Sequence, residues 1–365
     1  MTGFSGSYQH GDVTFLLKRV EMAPVERHEK ERLLQSGARH YSEMIGAEEP
    51  PDSAYLDLFH EALATNTDRL AMDLARLALA LAQRSRPPVL VSLARAGTPI
   101  GVLLRRALSR LGIDAPHYSI SIIRGRGVDE RALDWILAHH SAEAVVFVDG
   151  WTGKGAIADE LAGSVGAYAA SRRVVLDPGL VVVSDLAGVA AMSASEEDYL
   201  IPSAILNAVV SGLVSRTILH ADHLGPGDFH ACVEYNHLTT FDLSRWFVDT
   251  LDAALAPALT RALATPAEAL VSTDRTRARE VSRAFVTACL TRYGVGDPNR
   301  VKPGIGEATR ALLRRVPERL LLRDPHAEAV RHLRLLAERR EVPIEVDPAL
   351  PYNAAVLIRT LGRDA

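Results

Sequence analysis

The chain has 365 residues, 48% of them hydrophobic and 24% charged, with 41 Lys and Arg against 45 Asp and Glu and a formal net charge of −4. That length suits about two domains, and no apolar run is long enough to cross a bilayer. Met1-Thr2-Gly3-Phe4-Ser5-Gly6-Ser7 shows no basic region followed by an apolar core, and Cys232 and Cys289 are too few for a disulfide framework or a cysteine-based metal site, so a cytoplasmic, reducing setting is expected.

A Gly/Ser turn over 4–8 feeds the short apolar run 13–17, which suits a strand or a helix. Helical period follows over 29–44 and breaks at Pro50-Pro51. Over 55–83, Leu70, Leu74, Leu77 and Leu81 recur at three- and four-residue spacing and predict a long amphipathic helix. Pro87-Pro88 ends it, and Val89-Leu90-Val91-Ser92-Leu93-Ala94 reads as a buried parallel strand. Its tip, Arg95-Ala96-Gly97-Thr98-Pro99, leads into a helix over 102–111. Arg95 offers charge to a phosphate and Gly97 close backbone approach, although an ordinary helix start would look the same. A strand over 117–123 comes next. After it, Arg124 and Arg126 alternate with Gly125 and Gly127, which suits a mobile lid or an exposed basic turn. A helix over 131–140 follows.

Val145-Val146-Phe147-Val148 then forms a strand ending on Asp149, and Gly150-Trp151-Thr152-Gly153-Lys154-Gly155 turns into a helix beginning at Ala156. Glycines let backbone N–H groups approach phosphate oxygens, and a helix N-terminus adds favourable potential. A Walker A loop is excluded, because Gly155 follows Lys154 and Val148 stands where its first glycine belongs. An anion site and a plain βα turn remain open. Strand material over 174–184 is interrupted at Asp177-Pro178-Gly179. Strand–helix alternation implies a parallel sheet with both turns at the carboxyl ends of neighbouring strands. Over 198–217, Ser203, Asn207 and Ser211 among small neutral residues suit a pocket for an uncharged ring or tight helix packing. His220, His223, His230 and His237 match no standard zinc spacing.

Helical period returns over 243–264 and 273–293, with Thr265-Pro266 between. A helix opened by the stretch 301–310, a strand over 319–324, a helix over 330–339 and a strand over 342–346 make an αβαβ module. From Tyr293 onward thirteen Lys or Arg face ten Asp or Glu, leaving this tail about +3 and the rest about −7. A polyanion partner or a solvated helix face would each give this pattern.

Phe4 to Tyr8, His40 to Met44, Ser92 to Gly101, His117 to Arg124, Val148 to Gly155 and Leu200 to Thr217 together resemble the bacterial phosphoribosyltransferase-like family found with tellurium-resistance and stress genes, which also carries the label cysteine protease StiP. The resemblance implies an α/β, type I phosphoribosyltransferase-like parallel sheet with flanking helices, over 1–270. It implies transfer between PRPP with Mg²⁺ and a nucleobase-like acceptor, or the reverse cleavage; the alternative is a non-catalytic RNA-binding regulator that senses nucleotides through the same fold. Asp149 would stabilise positive charge, with Arg124 and Arg126 on the lid. Ser92, Arg95, Ala96, Gly97, Asp149, Gly150, Trp151, Thr152, Gly153, Lys154 and Gly155 would bind PRPP, and Ser203, Asn207 and Ser211 the acceptor. The protease label finds no support in the sequence, since neither cysteine sits in a turn with a histidine and an orienting partner at recognisable positions. Residues 271–365 resemble the Pelota/L7Ae-like RNA-binding domain, which implies structured RNA bound by Lys302, Gly304, Glu307, Thr309 and Arg310. Gly306 stands where that group has Asn, so kink-turn reading is not expected. A homodimer is one option for assembly.

Overall fold

The computed structural model describes residues 3–264, 266, 270–271 and 275–360. Met1, Thr2, Thr265, Thr273 and Arg363 lie outside the described residues. Among the described residues no helix is long and apolar enough to cross a membrane.

The chain opens with β1 (Thr14–Phe15), β2 (Lys18–Arg19) and α1 (Arg27–Gln35). The expected long helix is α2 (Ser53–Ala82). Asp52, just past the proline pair, caps it by accepting the Tyr55 N–H at 2.9 Å. Leu70, Leu74, Leu77 and Leu81 are all buried, as their spacing requires. Then come β3 (Val89–Leu93), α3 (Thr98–Arg110), β4 (His117–Ile120), β5 (Ile122–Ile123), β6 (Gly127–Val128), α4 (Glu130–His139), β7 (Val145–Thr152), α5 (Ala156–Arg172), β8 (Leu180–Asp185) and β9 (Met192–Ser195). The body closes with β10 (Ala231–Cys232), which pairs with β2, and α6 (Ser244–Ala262).

The central sheet has the order β1-β4-β3-β7-β8-β9 with every pairing parallel, so its strands need cover on both faces. Alternation along β7 shows how this is met. Val145 and Phe147 pack with Leu133 and Ile136 of α4 and Leu161 of α5, while Val146 and Val148 pack with α2 and α3 on the other side. β3 and β7 are neighbours, so their carboxyl ends open at the same place.

A small C-terminal domain follows: α7 (Thr276–Tyr293), β11 (Val301–Pro303), α8 (Ile305–Arg314), β12 (Pro317–Leu322), α9 (Arg331–Arg339), β13 (Ile344–Val346) and β14 (Ala354–Ile358). Its sheet runs β11-β14-β12-β13, with β12 and β13 parallel and the other pairs antiparallel. The αβαβ expectation missed β11 and β14. β14 is fully buried, and its Ala354-Ala355 start lacks the branched residues that mark strands. β9, reading Met-Ser-Ala-Ser, was missed for the same reason. Expected strand material over 174–179 is not strand, because β8 starts only at Leu180, beyond the Asp177-Pro178-Gly179 turn. The stretch 198–217 is not a helix but two short 3₁₀ turns, Pro202–Ala204 and Ala208–Val210, joined by irregular chain.

The two parts share one apolar core, since Ile305, Ala308 and Leu312 of α8 belong with the buried residues of α2 and α3. Asp198 fixes their junction. One carboxylate oxygen accepts the Ile305 N–H at 2.9 Å and the other the Asn353 N–H at 2.8 Å. Asp198→Ala would leave both donors unpaired in a buried place, at about 2–4 kcal/mol together. A clearly lower urea midpoint is expected at pH 7, and an unchanged one would show that the junction does not depend on this carboxylate.

Candidate functional site

The carboxyl ends of β3 and β7 open into a cavity of about 1090 Å³, closed on its far side by α8. Twelve Lys or Arg side chains and four carboxylates line it, so the cavity attracts anions strongly. It gathers most of the residues singled out in the sequence: Arg95, Ala96, Arg124, Arg126, Asp149, Trp151, Thr152, Gly153, Lys154, Gly155, Ser203, Asn207, Ser211, Lys302, Glu307 and Arg310.

Asp149, expected to end the strand, lies within β7, which runs on to Thr152, and its Oδ1 accepts the Gly150 N–H at 2.8 Å. Burial pushes its carboxyl up to about 6, against the opposing pull of Arg310. Glu307 lies near it, and there the balance is reversed. Burial would lift Glu307, but Arg310, Lys302, Lys154 and Arg314 together hold it below the usual carboxylate range. Lys154 donates to the Pro298 carbonyl at 2.5 Å and to Asn299 Oδ1 at 3.2 Å. Burial, with Lys302 and Arg124 nearby, lowers its ammonium to about 7. Arg310 lies over the Trp151 ring at 4.4 Å.

Body and C-terminal domain meet here through two glycines. A Cβ on Gly306 would stand 2.3 Å from the Trp151 ring, and one on Gly153 would stand 2.5 Å from Glu307 Cγ. Gly306→Asn, the change that would restore the kink-turn amide, therefore drives a side chain into Trp151.

Other expected roles are not met. Ser92 is fully buried, bonded to His117 at 2.8 Å and to the Tyr118 carbonyl at 3.3 Å. Gly97 faces β7, since a Cβ there would lie 2.5 Å from the Val148 carbonyl oxygen. Gly150 and Gly304 do not line the cavity, and Thr309 is buried between the Ile305 carbonyl and His332. Thr152 is held by Asp185 at 2.5 Å and by the Ala187 N–H at 3.1 Å. The stretch 124–127, expected as a lid or an exposed basic turn, forms the hairpin turn between β5 and β6. Its Gly125 and Gly127 N–H groups bond Glu160 at 2.6 and 2.9 Å, and Arg124 reaches Asn299 at 3.0 Å. Ser203 Oγ is buried without a partner among the described residues, and Ser211 Oγ donates at 2.5 Å to the Asn207 carbonyl. Among the described residues no three His, Cys, Asp or Glu side chains converge as a metal site; His230 bonds Ser121 and His237 bonds the Glu48 carbonyl.

Arg314, expected with Lys302 and Arg310 to meet RNA phosphates, also lines the cavity, whereas Lys30, Arg216 and Asn299 on the same walls were missed in the sequence. Arg216 had a usable signal, being the one cation in the neutral stretch 198–217. Both thiols are buried. Burial pushes Cys232 up to about 12 and Cys289 to about 11.

The Asp149 carboxyl is raised in the fold above its ordinary value of 3.8. Its contribution therefore favours folding fully below that value and is lost as pH rises through about 6. Asp149→Asn, which keeps the acceptor for Gly150, should stabilise the protein at pH 7.5 by roughly 2–3 kcal/mol and lose that gain toward pH 4. Melting curves at both pH values check this, and no gain at pH 7.5 would contradict the buried charge.

Residues 6–252 match a family described as tellurite-like stress resistance cysteine protease StiP, and residues 280–360 match the PELOTA RNA binding domain. A protein of Acinetobacter baylyi named "Cysteine protease StiP" is 44% identical over 373 residues, spanning 99% of this chain and 96% of that protein. These names overturn the expected phosphoribosyltransferase activity and the setting aside of the protease label. A strand, an acidic tip, a glycine turn and a helix build an anion site in any parallel βα unit, and they do not specify the reaction performed there. The Pelota resemblance of the C-terminal part is borne out. With a matched span of this length and a relative this similar, the chain belongs to the tellurite-like stress resistance cysteine protease StiP family and carries a Pelota RNA-binding domain.

Proposed function

We propose that this is a stress-resistance protein that binds single-stranded RNA in the cleft between a body of residues 1–270 and a Pelota domain of residues 271–365. One observation carries the reading: the helix start of the RNA-binding domain, with Lys302, Glu307 and Arg310, faces a cavity lined by twelve cations and four carboxylates. Such a cavity holds a phosphate backbone by charge, with no need for base identity. His40 and Tyr41 on the same walls offer rings on which bases stack. Gly306 has neither an amide for a base edge nor room to gain one, which disfavours kink-turn recognition.

The full chain should bind a short oligoribonucleotide with an affinity that falls as salt rises, and Lys302→Ala or Arg124→Ala should weaken it about tenfold. Fluorescence anisotropy at two salt concentrations measures this. Absence of binding, or salt-independent binding unaffected by both variants, would defeat the reading.

The name of the relative supports a second reading, a thiol protease. Its nucleophile would be Cys232 or Cys289, and a buried thiol pushed up to about 12 or 11 needs an opened form to become a thiolate. Iodoacetamide labelling of the native protein at pH 7.5 separates the cases: rapid modification of one cysteine with loss of peptidase activity favours the protease, and labelling only after unfolding removes its nucleophile.

A further inference from the structure

The inner wall of the cleft carries a feature of its own, whose role rests on the RNA-binding reading. Lys30, Arg95, Arg216 and Arg314 come together there from α1, the β3 turn, the irregular stretch after Val210 and the end of α8. Each guanidinium is anchored. Arg95 donates to the Val214 carbonyl at 2.8 Å and to Glu48, Arg216 to the carbonyls of Tyr41 and Met44, and Arg314 to Asn207 Oδ1. Among the described residues Glu48 is the one carboxylate that pairs with any of the four. It also accepts the Ala208 N–H at 3.1 Å, so its charge is already shared.

Donors are left over. The Nε atoms of Arg95 and Arg314 are buried with no hydrogen-bond partner among the described residues, and the Arg95 side chain is only 5% exposed. Buried donors and cations in this state are unfavourable until an acceptor arrives. The electrostatics agree: burial and the neighbouring guanidiniums lower Lys30 to about 7, and burial with Arg95 nearby lowers Arg314 to about 9.

We propose that this cluster takes a phosphate monoester, the terminal phosphate of an RNA strand, while the outer cations follow the diester backbone. A diester brings one negative charge and a monoester nearly two at neutral pH, which suits this cluster better, since Glu48 is the one carboxylate ion-paired to it among the described residues. The wall behind is apolar, with Leu93 and Val210 buried in it, which suits the end of a strand better than a continuing charged backbone. Guanidinium groups fixed on carbonyls present their remaining N–H groups in a set direction, as recognition of a phosphate end needs.

The test compares one oligoribonucleotide sequence with a 5′-phosphate, a 3′-phosphate or hydroxyl ends, by anisotropy with the full chain. One phosphorylated end should bind about tenfold tighter than the hydroxyl form. That preference should vanish in Arg314→Gln and Arg216→Gln, each confirmed folded by its melting curve, and adenosine monophosphate should compete for the preference but not for the remaining hydroxyl-end binding. Equal binding of all three RNAs by the wild-type protein overturns the terminal-phosphate inference and leaves the RNA reading standing. No binding of any RNA overturns both. If both variants fail to fold, the wild-type ranking and the monophosphate competition decide.

Discussion

The close approach of the first turn of α8 to the carboxyl end of β7 is the contact on which the site depends. Gly306 lies flat against Trp151 and Gly153 against Glu307, at separations that leave no room for a Cβ on either side. Asp198 holds the same turn by its backbone and reaches across to Asn353. With the two parts pressed together this way, the face of the Pelota domain that carries Lys302, Glu307 and Arg310 turns inward. The cleft it closes does not exist in either part alone.

A cleft built so carries an electrostatic load. Lys154, Arg216, Arg314 and Lys30 are all lowered chiefly by burial, and Asp149 is raised by it. Groups displaced from their ordinary values in both directions around one cavity are groups the fold would be more stable without, which marks a place shaped for binding rather than for stability. The surrounding core offsets that load: β3 and β7 are buried along their hydrophobic runs, and α2 covers them along much of its 30 residues.

Much of the fold was legible in the sequence where side chains follow a strict period. The leucines of α2, the valines of β3 and β7 and the proline pairs that separate them fixed the parallel core. The short strands β9, β11 and β14 were not legible, because the serine, alanine and proline they contain weaken the strand pattern and their place in a sheet comes from tertiary pairing. At the site, the two anion-type turns were visible as glycines beside Arg95 and Lys154. Gly97 and Thr152 proved to serve packing and strand pairing, a distinction that spacing cannot make. Lys30 was invisible because it is an ordinary charge on a helix until another part of the chain folds over it. The reaction was misread for a related reason: shape and charge identify an anion site, and the activity named for the family lies elsewhere in its chemistry.

On this account RNA enters the cleft between the two parts rather than lying on the outer surface of the Pelota domain. Ultraviolet cross-linking of a short oligoribonucleotide to the full chain, with the modified peptides identified by mass spectrometry, tests this most directly. Cross-links at Tyr41, whose ring lines the cavity, are the predicted result. Cross-links confined to Tyr293 and other positions outside the cleft would contradict it.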